Sequence, residues 1–506
     1  MNDWSHGYDI SAGYTYGFRN EMAPDWMDLC ARLAGQAPPR ASSGQPYRYL
    51  ELGCGQGVGL CLLAAANPHS EFLGVDFLPD HVAHAQALAS AAGLTNVRFS
   101  DGDFVALAQD WPQDFGRFDY VTLHGVYSWI TTAVRQALVR CLDHAAAPGA
   151  LVYISYNAQP GWLGSMPFRH ISRLIRENSD APSGDVLDAS IGLFDRMAAG
   201  GANIFQILPG LKARIASVKN QSKNYLIHEF LHEGWHPLWH SEVAAEVAGA
   251  DLHFAGSATI ADTLLPSALP PALRQTIEEQ QVERVRQDVQ DLAVNQSFRR
   301  DLFRRGKTAA PEKRDDAAIG RTRLHMIAPP PGETIDIKAS FGEITLQRPA
   351  YDAIFATLAK GPATIAELLA LPFLRQQGTD NALQILALLL HSKTIGVGPD
   401  HIPAPDAAHR LNRAIASSHS ATQPYTHIAA PALGSAVPVS PLDLTLLDLW
   451  CNRPEGPTPD ALARAAIDAV DGQPLLPALS PATALGAATT FLHRDLPRWR
   501  MLGAIP

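Results

Sequence analysis

The stretch Arg48-Tyr-Leu-Glu-Leu-Gly-Cys-Gly-Gln-Gly-Val-Gly59 decides the fold of this chain. Residues Tyr47 to Leu52 are mostly apolar, which predicts a buried strand. Three glycines follow this strand at every second position: Gly53, Gly55 and Gly57. Because glycine lacks a Cβ, such a run lets the backbone turn sharply and approach a ligand. Helical spacing resumes from Gly59 to Ala66, so the pattern predicts the first strand–loop–helix turn of a nucleotide-binding α/β sheet.

The residues of this loop indicate which ligand it binds. A dinucleotide fingerprint, G-x-G-x-x-G, would require a glycine where the chain has Val58. The strand also carries an acid, Glu51, which would repel a diphosphate but attract a sulfonium and an α-ammonium group. The form E-x-G-x-G-x-G resembles the first motif of class I S-adenosylmethionine-dependent methyltransferases. A nicotinamide-dependent oxidoreductase, resting on Gly53, Gly55 and Asp76, is the less favoured alternative.

Strand and helix patterns alternate from residue 47 to residue 157, which predicts a parallel sheet covered on both faces. Four polar residues fall at the carboxyl ends of successive predicted strands: Glu51, Asp76, Asp103 and His124. Ligands of open α/β sheets bind at that edge, near the switch in strand order. A polar residue at each of four strand ends favours a ligand site more strongly than a polar residue at one strand end.

Each of these positions suits one part of the methyl donor. Asp76 lies 23 residues after Gly53, a spacing that suits two charge-assisted hydrogen bonds to a ribose diol. Phe77 follows and can flank the adenine, and Asp103, before Phe104, can accept from its amine. The predicted cofactor-binding residues are Tyr16, Glu51, Gly53, Gly55, Gly57, Asp76, Phe77, Asp103, Phe104 and His124.

Three further motifs extend the resemblance. His124-Gly-Val-Tyr-Ser-Trp129 stands where the methyltransferases acting on adenine or glutamine carry (N/D)-P-P-(Y/F). Ser155-Tyr-Asn-Ala-Gln-Pro-Gly-Trp162 and Phe298-Arg-Arg-Asp-Leu302 follow. Together with the glycine loop, these motifs resemble bacterial class I methyltransferases that carry a methyltransferase regulatory domain, a group that includes the rickettsial protein-lysine methyltransferases. His124, Tyr127 and Asn157 lie beside the expected position of the transferred methyl group and are the catalytic candidates, with His124 as the candidate base.

The segment before Ser241 contains a regular histidine pattern. Four histidines are spaced four residues apart: His228, His232, His236 and His240. Gly234 and Pro237 interrupt any helix that would align them on one face, and no H-E-x-x-H motif is present. We therefore expect a loop of packed histidines and no metal site.

Residues 267–305 have the composition of a charged helical segment. Its apolar residues follow the helical repeat and predict one buried stripe: Val282, Val285, Val289 and Leu292. Its last residues include four arginines, which are expected to form a solvated helix end: Arg299, Arg300, Arg304 and Arg305.

The domain organisation follows from these patterns. We expect an α/β protein with a Rossmann-like class I methyltransferase sheet, an added helical region and C-terminal winged-helix-like α+β domains. The apolar third helix of the winged-helix-like unit favours protein binding over DNA reading. The predicted units are 1–46, an N-terminal lid segment or sheet-edge plug; 47–262, the methyltransferase domain with a helical insertion; 263–318, a helical regulatory segment and linker; 333–398, the winged-helix-like unit; 399–440, a linker; and 441–506, a helical unit.

Composition limits the function. The net charge of −10 and the isoelectric point near 6.0 argue against a nucleic-acid-binding surface. Five scattered cysteines without a C-x-x-C motif suit a reducing, cytoplasmic setting, and neither a signal peptide nor a membrane span is expected. Homodimer formation stays open.

The sequence thus predicts an S-adenosylmethionine-dependent methyltransferase with S-adenosylmethionine as its cofactor. The long added region favours a macromolecular acceptor, namely a protein lysine amine. The alternatives are a methyltransferase for a glycan or secondary metabolite and a non-catalytic scaffold that binds the donor.

Overall fold

A seven-stranded sheet forms the centre of the molecule. The computed structural model describes residues 16–219, 223–232, 234–306, 314–330, 332–453, 456–471 and 474–506. The sheet order is β3-β2-β1-β4-β5-β7-β6. Its strands are β1 (Arg48–Leu52), β2 (Glu71–Asp76), β3 (Val97–Asp101), β4 (Phe118–Leu123), β5 (Ala146–Asn157), β6 (Leu252–Ser257) and β7 (Phe298–Arg305).

The first five strands are parallel, as the alternating pattern predicts. The chain adds β2 and β3 on one side of β1 and then returns to place β4 on the other side. The switch in strand order therefore lies between β1 and β4, where Glu51 is in register with Thr122. The helices of this half are α1 (Pro24–Leu33), α2 (Val58–Ala66), α3 (Pro79–Ala91), α4 (Phe104–Gln109) and α5 (Thr132–Ala145).

The last two strands correct the prediction for residues 267–305. Residues Phe298–Arg305 form a strand, β7, which pairs antiparallel with both β5 and β6. The expectation of a helix end is wrong because the arginines find partners across the sheet and its flanking elements. Arg299 is buried between Asp291 and Asp301, and Arg305 pairs with Asp143. The sheet therefore extends beyond residue 262, where we expected the methyltransferase domain to end.

The predicted apolar stripe is not buried. The segment has three helices: α12 (Leu265–Ala268), α13 (Pro271–Glu278) and α14 (Glu283–Val294). Val282, Val285 and Leu292 are exposed, whereas Asp291 on α14 is fully buried. The helix turns its polar face inward because Asp291 accepts a hydrogen bond from Arg299 of β7 at 2.6 Å.

A helical insertion between β5 and β6 has its own apolar core, built around Trp162, Phe168, Phe194 and Phe230. The insertion contains α6 (Met166–Glu177), α7 (Ser183–Ala199), α8 (Ile204–Ile207), α9 (Pro209–Val218), α10 (Lys223–Leu231) and α11 (His240–Val247).

Residues 314–398 form a smaller α+β region. The strands β11, β8 and β12 pair antiparallel, and β9 and β10 form a hairpin. The winged-helix interpretation of 333–398 stays a prediction, and β8 lies before its expected start. The elements are α15 (Asp316–Arg321), β8 (Arg323–Met326), β9 (Thr334–Ala339), β10 (Gly342–Gln347), α16 (Asp352–Leu358), β11 (Ala363–Thr364), α17 (Ile365–Leu369), α18 (Pro372–Gln377), α19 (Thr379–His391) and β12 (Ile395–Gly398).

The prediction of a linker over 399–440 is wrong. This stretch folds into a helix and a hairpin that pack on α2 of the methyltransferase sheet. Its alanines, which resemble linker composition, are small enough for close approach, and Ala429, Ala430 and Ala436 are fully buried. The elements from here on are α20 (Asp406–Ser418), β13 (His427–Ala430), β14 (Ser435–Pro438), α21 (Pro441–Cys451), α22 (Pro459–Val470), α23 (Pro481–Thr490) and α24 (Leu496–Met501).

Two global features bear on function. Within the described ranges, no helix has the length and apolar character that crossing a membrane requires. All five cysteines are unpaired thiols, and four of them are buried.

Candidate functional site

The glycine loop between β1 and α2 is the base of the candidate site. Gly53, Gly55 and Gly57 all have positive φ, at 79°, 53° and 70°. A Cβ on Gly57 would lie 2.3 Å from the Cβ of Ala85, and one on Gly53 would lie 2.5 Å from a methyl group of Val126. Only glycine therefore fits these two positions, which explains the spacing seen in the sequence.

Asp76 at the end of β2 holds this loop in place. Its carboxylate accepts a hydrogen bond from the Gly55 N–H at 2.7 Å and another from the Leu78 N–H at 3.1 Å. The ring Nδ1 of His81 lies 3.1 Å from the same carboxylate. The structure thus gives Asp76 a bracing role within the chain, and a carboxylate retains lone pairs for the ribose contact that the sequence predicts.

Glu51 is the acid closest in sequence to the glycine loop. It is only 8% exposed, and burial together with the nearby Asp76 carboxylate raises the pKa of Glu51 to about 8. Burial and Asp76 both disfavour the charged form of Glu51, and no cation among the described residues offsets them. A cationic ligand would supply that positive charge.

A cavity lies over Glu51, and three parts of the chain line it. Glu51, Gly53 and Gly57 form its base, and His124 contributes from the end of β4. Residues 17–19, together with Met22, close it from the N-terminal side. Its volume is about 60 Å³, which is below the roughly 300 Å³ or more of small-molecule sites.

His124 occupies a defined position in this cavity. Its Nδ1 lies 2.9 Å from the Tyr153 hydroxyl, and Arg19 Nε donates to its Nε2 at 3.3 Å. The Arg19 bond makes Nε2 the acceptor, so Nδ1 carries the proton and donates to Tyr153. Burial, assisted by Arg19 and Arg300, lowers the pKa of His124 to about 3, and the ring is therefore uncharged at neutral pH.

Sequence reasoning missed three residues of this site. Arg19 lines the cavity from the N-terminal segment, where no motif marks it. The Phe298 ring lies 6.1 Å from the His124 ring, and the Arg300 guanidinium stacks on Phe298 at 4.9 Å. Both residues belong to β7, whose charged sequence led us to predict a helix end. In Phe298-Arg-Arg-Asp-Leu-Phe303 apolar and charged residues do not alternate, so the sequence carried no local signal for a strand here.

Other predicted residues lie outside this cavity. The Tyr127 ring is fully buried in the sheet core and its hydroxyl donates to Glu246 at 2.5 Å. The backbone N–H of Asn157, which is also buried, donates to Ser128. Tyr16 packs edge-on against His84 and Tyr425. The structure gives Tyr127 a packing position and leaves the catalytic roles of Tyr127 and Asn157 as predictions.

The adenine side of the predicted site follows the edge of the sheet. Asp103 caps the start of α4 by accepting from the Val105 N–H at 3.1 Å, and Phe104 begins that helix. Phe77 directly follows β2 and is partly buried. These residues lie at strand ends next to Asp76, as the sequence predicts, and their contacts with a nucleoside stay predictions.

The fold and the site together define a class of protein. Five parallel strands with an antiparallel β7, a glycine loop at the switch point and an acid at the end of β1 form a class I methyltransferase sheet. The residues fit S-adenosylmethionine, because the buried Glu51 carboxylate calls for a cation and the Gly57 position leaves room only for a bare backbone.

Comparison with known proteins agrees with this class. A family described as "Methyltransferase domain" matches residues 44–177, and one described as "Predicted methyltransferase regulatory domain" matches residues 222–305. An uncharacterised protein of Synechocystis sp. is 31% identical over 464 residues, which cover 90% of this chain and 89% of that protein. An uncharacterised protein of Rickettsia prowazekii is 27% identical over 297 residues, 57% of this chain and 50% of its own length.

One solved structure shares the fold over nearly the whole chain. PKMT2 from Rickettsia typhi, in complex with AdoHcy, superposes with a TM-score of 0.69 at 18% identity, covering 97% of this chain and 99% of that chain. This chain belongs to the family of bacterial class I S-adenosylmethionine-dependent methyltransferases that carry a methyltransferase regulatory domain. Its β7 and β6, which complete the sheet, come from the regulatory region.

Proposed function

We propose that this methyltransferase modifies a protein acceptor, at the amine of a lysine side chain. The observation that carries the donor half is the buried Glu51 carboxylate beside the glycine loop, which has a pKa raised to about 8. The observation that favours a protein acceptor is the fold shared over the whole chain with PKMT2 of Rickettsia typhi, together with the resemblance to rickettsial protein-lysine methyltransferases.

The donor part of the site would recognise the amino-acid end of S-adenosylmethionine, which carries an α-ammonium group and an α-carboxylate group. S-adenosylmethionine supplies an electrophilic methyl group on a sulfonium when it is bound. Glu51 would hold the α-ammonium group, and Arg19, which lines the same cavity, would hold the α-carboxylate. The acceptor nitrogen Nε2 of His124, which accepts from Arg19 Nε at 3.3 Å, would become available to the substrate if Arg19 turns to the α-carboxylate.

The acceptor amine must lose a proton before it can react. A lysine with an ordinary pKa near 10.4 pays about 4–5 kcal/mol for this at neutral pH. With its pKa lowered to about 3, His124 is too weak a base to carry that proton while it is buried. We therefore assign His124 to positioning: its Nε2 accepts a hydrogen bond from the amine, while its Nδ1–H stays bonded to Tyr153.

Transfer of label from the donor separates the possible acceptors. The full chain is incubated with methyl-labelled S-adenosylmethionine and bacterial lysate, and the protein, lipid and small-molecule fractions are counted. We expect label in the protein fraction, recovered as methyl-lysine after hydrolysis. Label confined to the lipid or small-molecule fraction would support the glycan or metabolite alternative. Donor binding without any transfer would support the scaffold alternative.

The role of His124 is tested by replacing it with Gln, which retains one hydrogen-bonding amide. We expect His124→Gln to lower kcat at least tenfold and to leave the dissociation constant of S-adenosylhomocysteine within about twofold, because the ring positions the acceptor and does not hold the donor. His144→Gln, far along α5 from the cavity, is the matched control. Unchanged turnover in His124→Gln would remove His124 from the mechanism.

The proposal also covers the cellular compartment, the class of acceptor and the oligomeric state. Five unpaired cysteines suit a reducing cytoplasm. The net charge of −10 favours a protein over a nucleic acid as the acceptor. A homodimer is the remaining expectation, which sedimentation of the purified chain at two concentrations tests.

A further inference from the structure

A second cavity lies in the C-terminal part of the molecule, between α20, α21 and the residues after α24. Its volume is about 330 Å³, which is within the size range of small-molecule sites. It shares no lining residue with the cavity over Glu51. Leu447, Trp450 and Ile505 provide apolar surface, and three arginines provide the charge: Arg410, Arg413 and Arg453.

Among the described residues, the three guanidinium groups bond to backbone carbonyls and form no ion pair with a carboxylate. Arg410 Nε donates to the Ala92 carbonyl, Arg413 Nη2 to the Cys451 carbonyl and Arg453 Nη1 to the Ala461 carbonyl, at 2.9, 3.0 and 3.2 Å. In the part of the chain that the structure describes, no ion pair involves any of these arginines. Because a guanidinium has five N–H donors, each of them retains donors beyond its carbonyl bond.

The backbone around the cavity is held in place from beneath. Asn412 is buried on α20 between two of the arginines, and its amide donates to the carbonyls of Ala429 and Ala504 at 2.8 and 2.7 Å. Its side-chain oxygen accepts from the Ala429 N–H at 2.7 Å. These bonds tie α20 to β13 and to the segment that carries Ile505, so the cavity wall is formed before any ligand arrives.

We propose that this cavity binds a small organic anion, with a phosphate or carboxylate group attached to an apolar or aromatic body. Guanidinium groups form bidentate hydrogen bonds with the oxygens of phosphate and carboxylate groups. Three arginines that line one cavity on a chain of net charge −10 favour an anionic ligand, and the apolar surface favours a ligand larger than a bare inorganic ion. The Trp450 ring, on which the Arg500 guanidinium packs at 5.6 Å, adds aromatic surface to the lining.

The test uses the full chain, saturated with S-adenosylhomocysteine so that the donor cavity cannot take the probe. Phenyl phosphate and phenylacetate are titrated by calorimetry, with inorganic phosphate and acetate as the anionic groups alone and phenol as the aromatic body alone. We expect one of the two organic anions to bind with a stoichiometry near one, at least tenfold more tightly than its anionic group alone or phenol. Which of the two binds identifies the anionic group.

Matched variants locate that binding. Arg413→Gln and Arg453→Gln are each expected to weaken it at least tenfold, whereas Arg464→Gln, on the exposed surface of α22 and outside the cavity, leaves it unchanged. Thermal unfolding of each variant checks that the fold persists. Absence of saturable binding by both organic anions, or equal binding by all three variants and the natural chain, would overturn the proposal.

Discussion

Residues 47–157 and residues 282–305 contribute to the same sheet, but they use opposite kinds of interaction. The first region buries apolar strands such as β1, in which Leu50 and Leu52 are fully buried. The second buries charge, since Asp291, Arg299 and Asp301 are all at most 4% exposed. Its apolar Val282, Val285 and Leu292 face outward.

In residues 47–157 the pattern within each segment determines which residues are buried. In residues 282–305 partners that are distant in the sequence determine it. The alternation and glycines of the first region act through local geometry, so each segment alone predicts its own strand. In the second region, Arg299 and Asp301 are acceptable in the sheet only because Asp291, His240 and Tyr156 are brought to them by α14, α11 and β5. A charged strand of this kind is stable only as part of its complete network.

The largest expected effect concerns this buried charge network. Asp301 accepts hydrogen bonds from Arg299, His240 and Tyr156 and is fully buried. Asp301→Asn removes one of the two carboxylates that pair with the buried Arg299 and leaves only Asp291, so we expect a loss of about 3–5 kcal/mol in the free energy of unfolding, measured with urea. Asp114→Asn, which breaks an exposed pair with Arg98, should cost less than about 1 kcal/mol. Equal losses in the two variants would contradict the comparison.

A smaller effect concerns the proton on Glu51. Because its pKa in the folded protein is about 8, well above the value of 4.5 for an ordinary glutamate, the folded chain holds a proton that the unfolded chain releases in that interval. Its contribution to stability is complete below pH 4.5 and is lost as pH rises towards about 8. A bound cation favours the charged form of Glu51, so the binding of S-adenosylmethionine at pH 7 should release roughly half to one proton from the protein.

Calorimetry in two buffers of different ionisation enthalpy measures this release. We expect S-adenosylmethionine to release the proton from the natural chain and no proton from Glu51→Gln, which cannot ionise. An equal release in the two proteins would show that another group loses the proton.

The smallest expected effect on stability concerns the exposed apolar stripe of residues 282–292. Leu292 is 57% exposed, so Leu292→Ala should change the free energy of unfolding by less than about 0.5 kcal/mol. Leu138→Ala on α5, at a fully buried position, should cost about 2–5 kcal/mol in the same urea experiment. A cost above 2 kcal/mol for Leu292→Ala would mean that the stripe is covered in solution.

The sequence predicted the donor side of the molecule well because its signals are local. The alternation from residue 47 to residue 157 predicted the parallel sheet, and the stretch Tyr47–Leu52 predicted β1 to within one residue. The linker expected over 399–440 failed because alanine-rich composition cannot reveal that small side chains permit close packing on α2. Arg19 could not be found because its partner, His124, is 105 residues away in the chain.

The central claim is that the glycine loop beside Glu51 binds the methyl donor. Calorimetric titration of the full chain with S-adenosylhomocysteine tests it most directly, beside Gly57→Ala, in which the new Cβ would meet Ala85, and Gly486→Ala, in which a Cβ meets open space. We expect one equivalent to bind the natural chain and Gly486→Ala alike, and at least about 100-fold weaker binding, roughly 2.7 kcal/mol, to Gly57→Ala. Absence of binding to the natural chain, or equal affinity in all three proteins, would contradict the account.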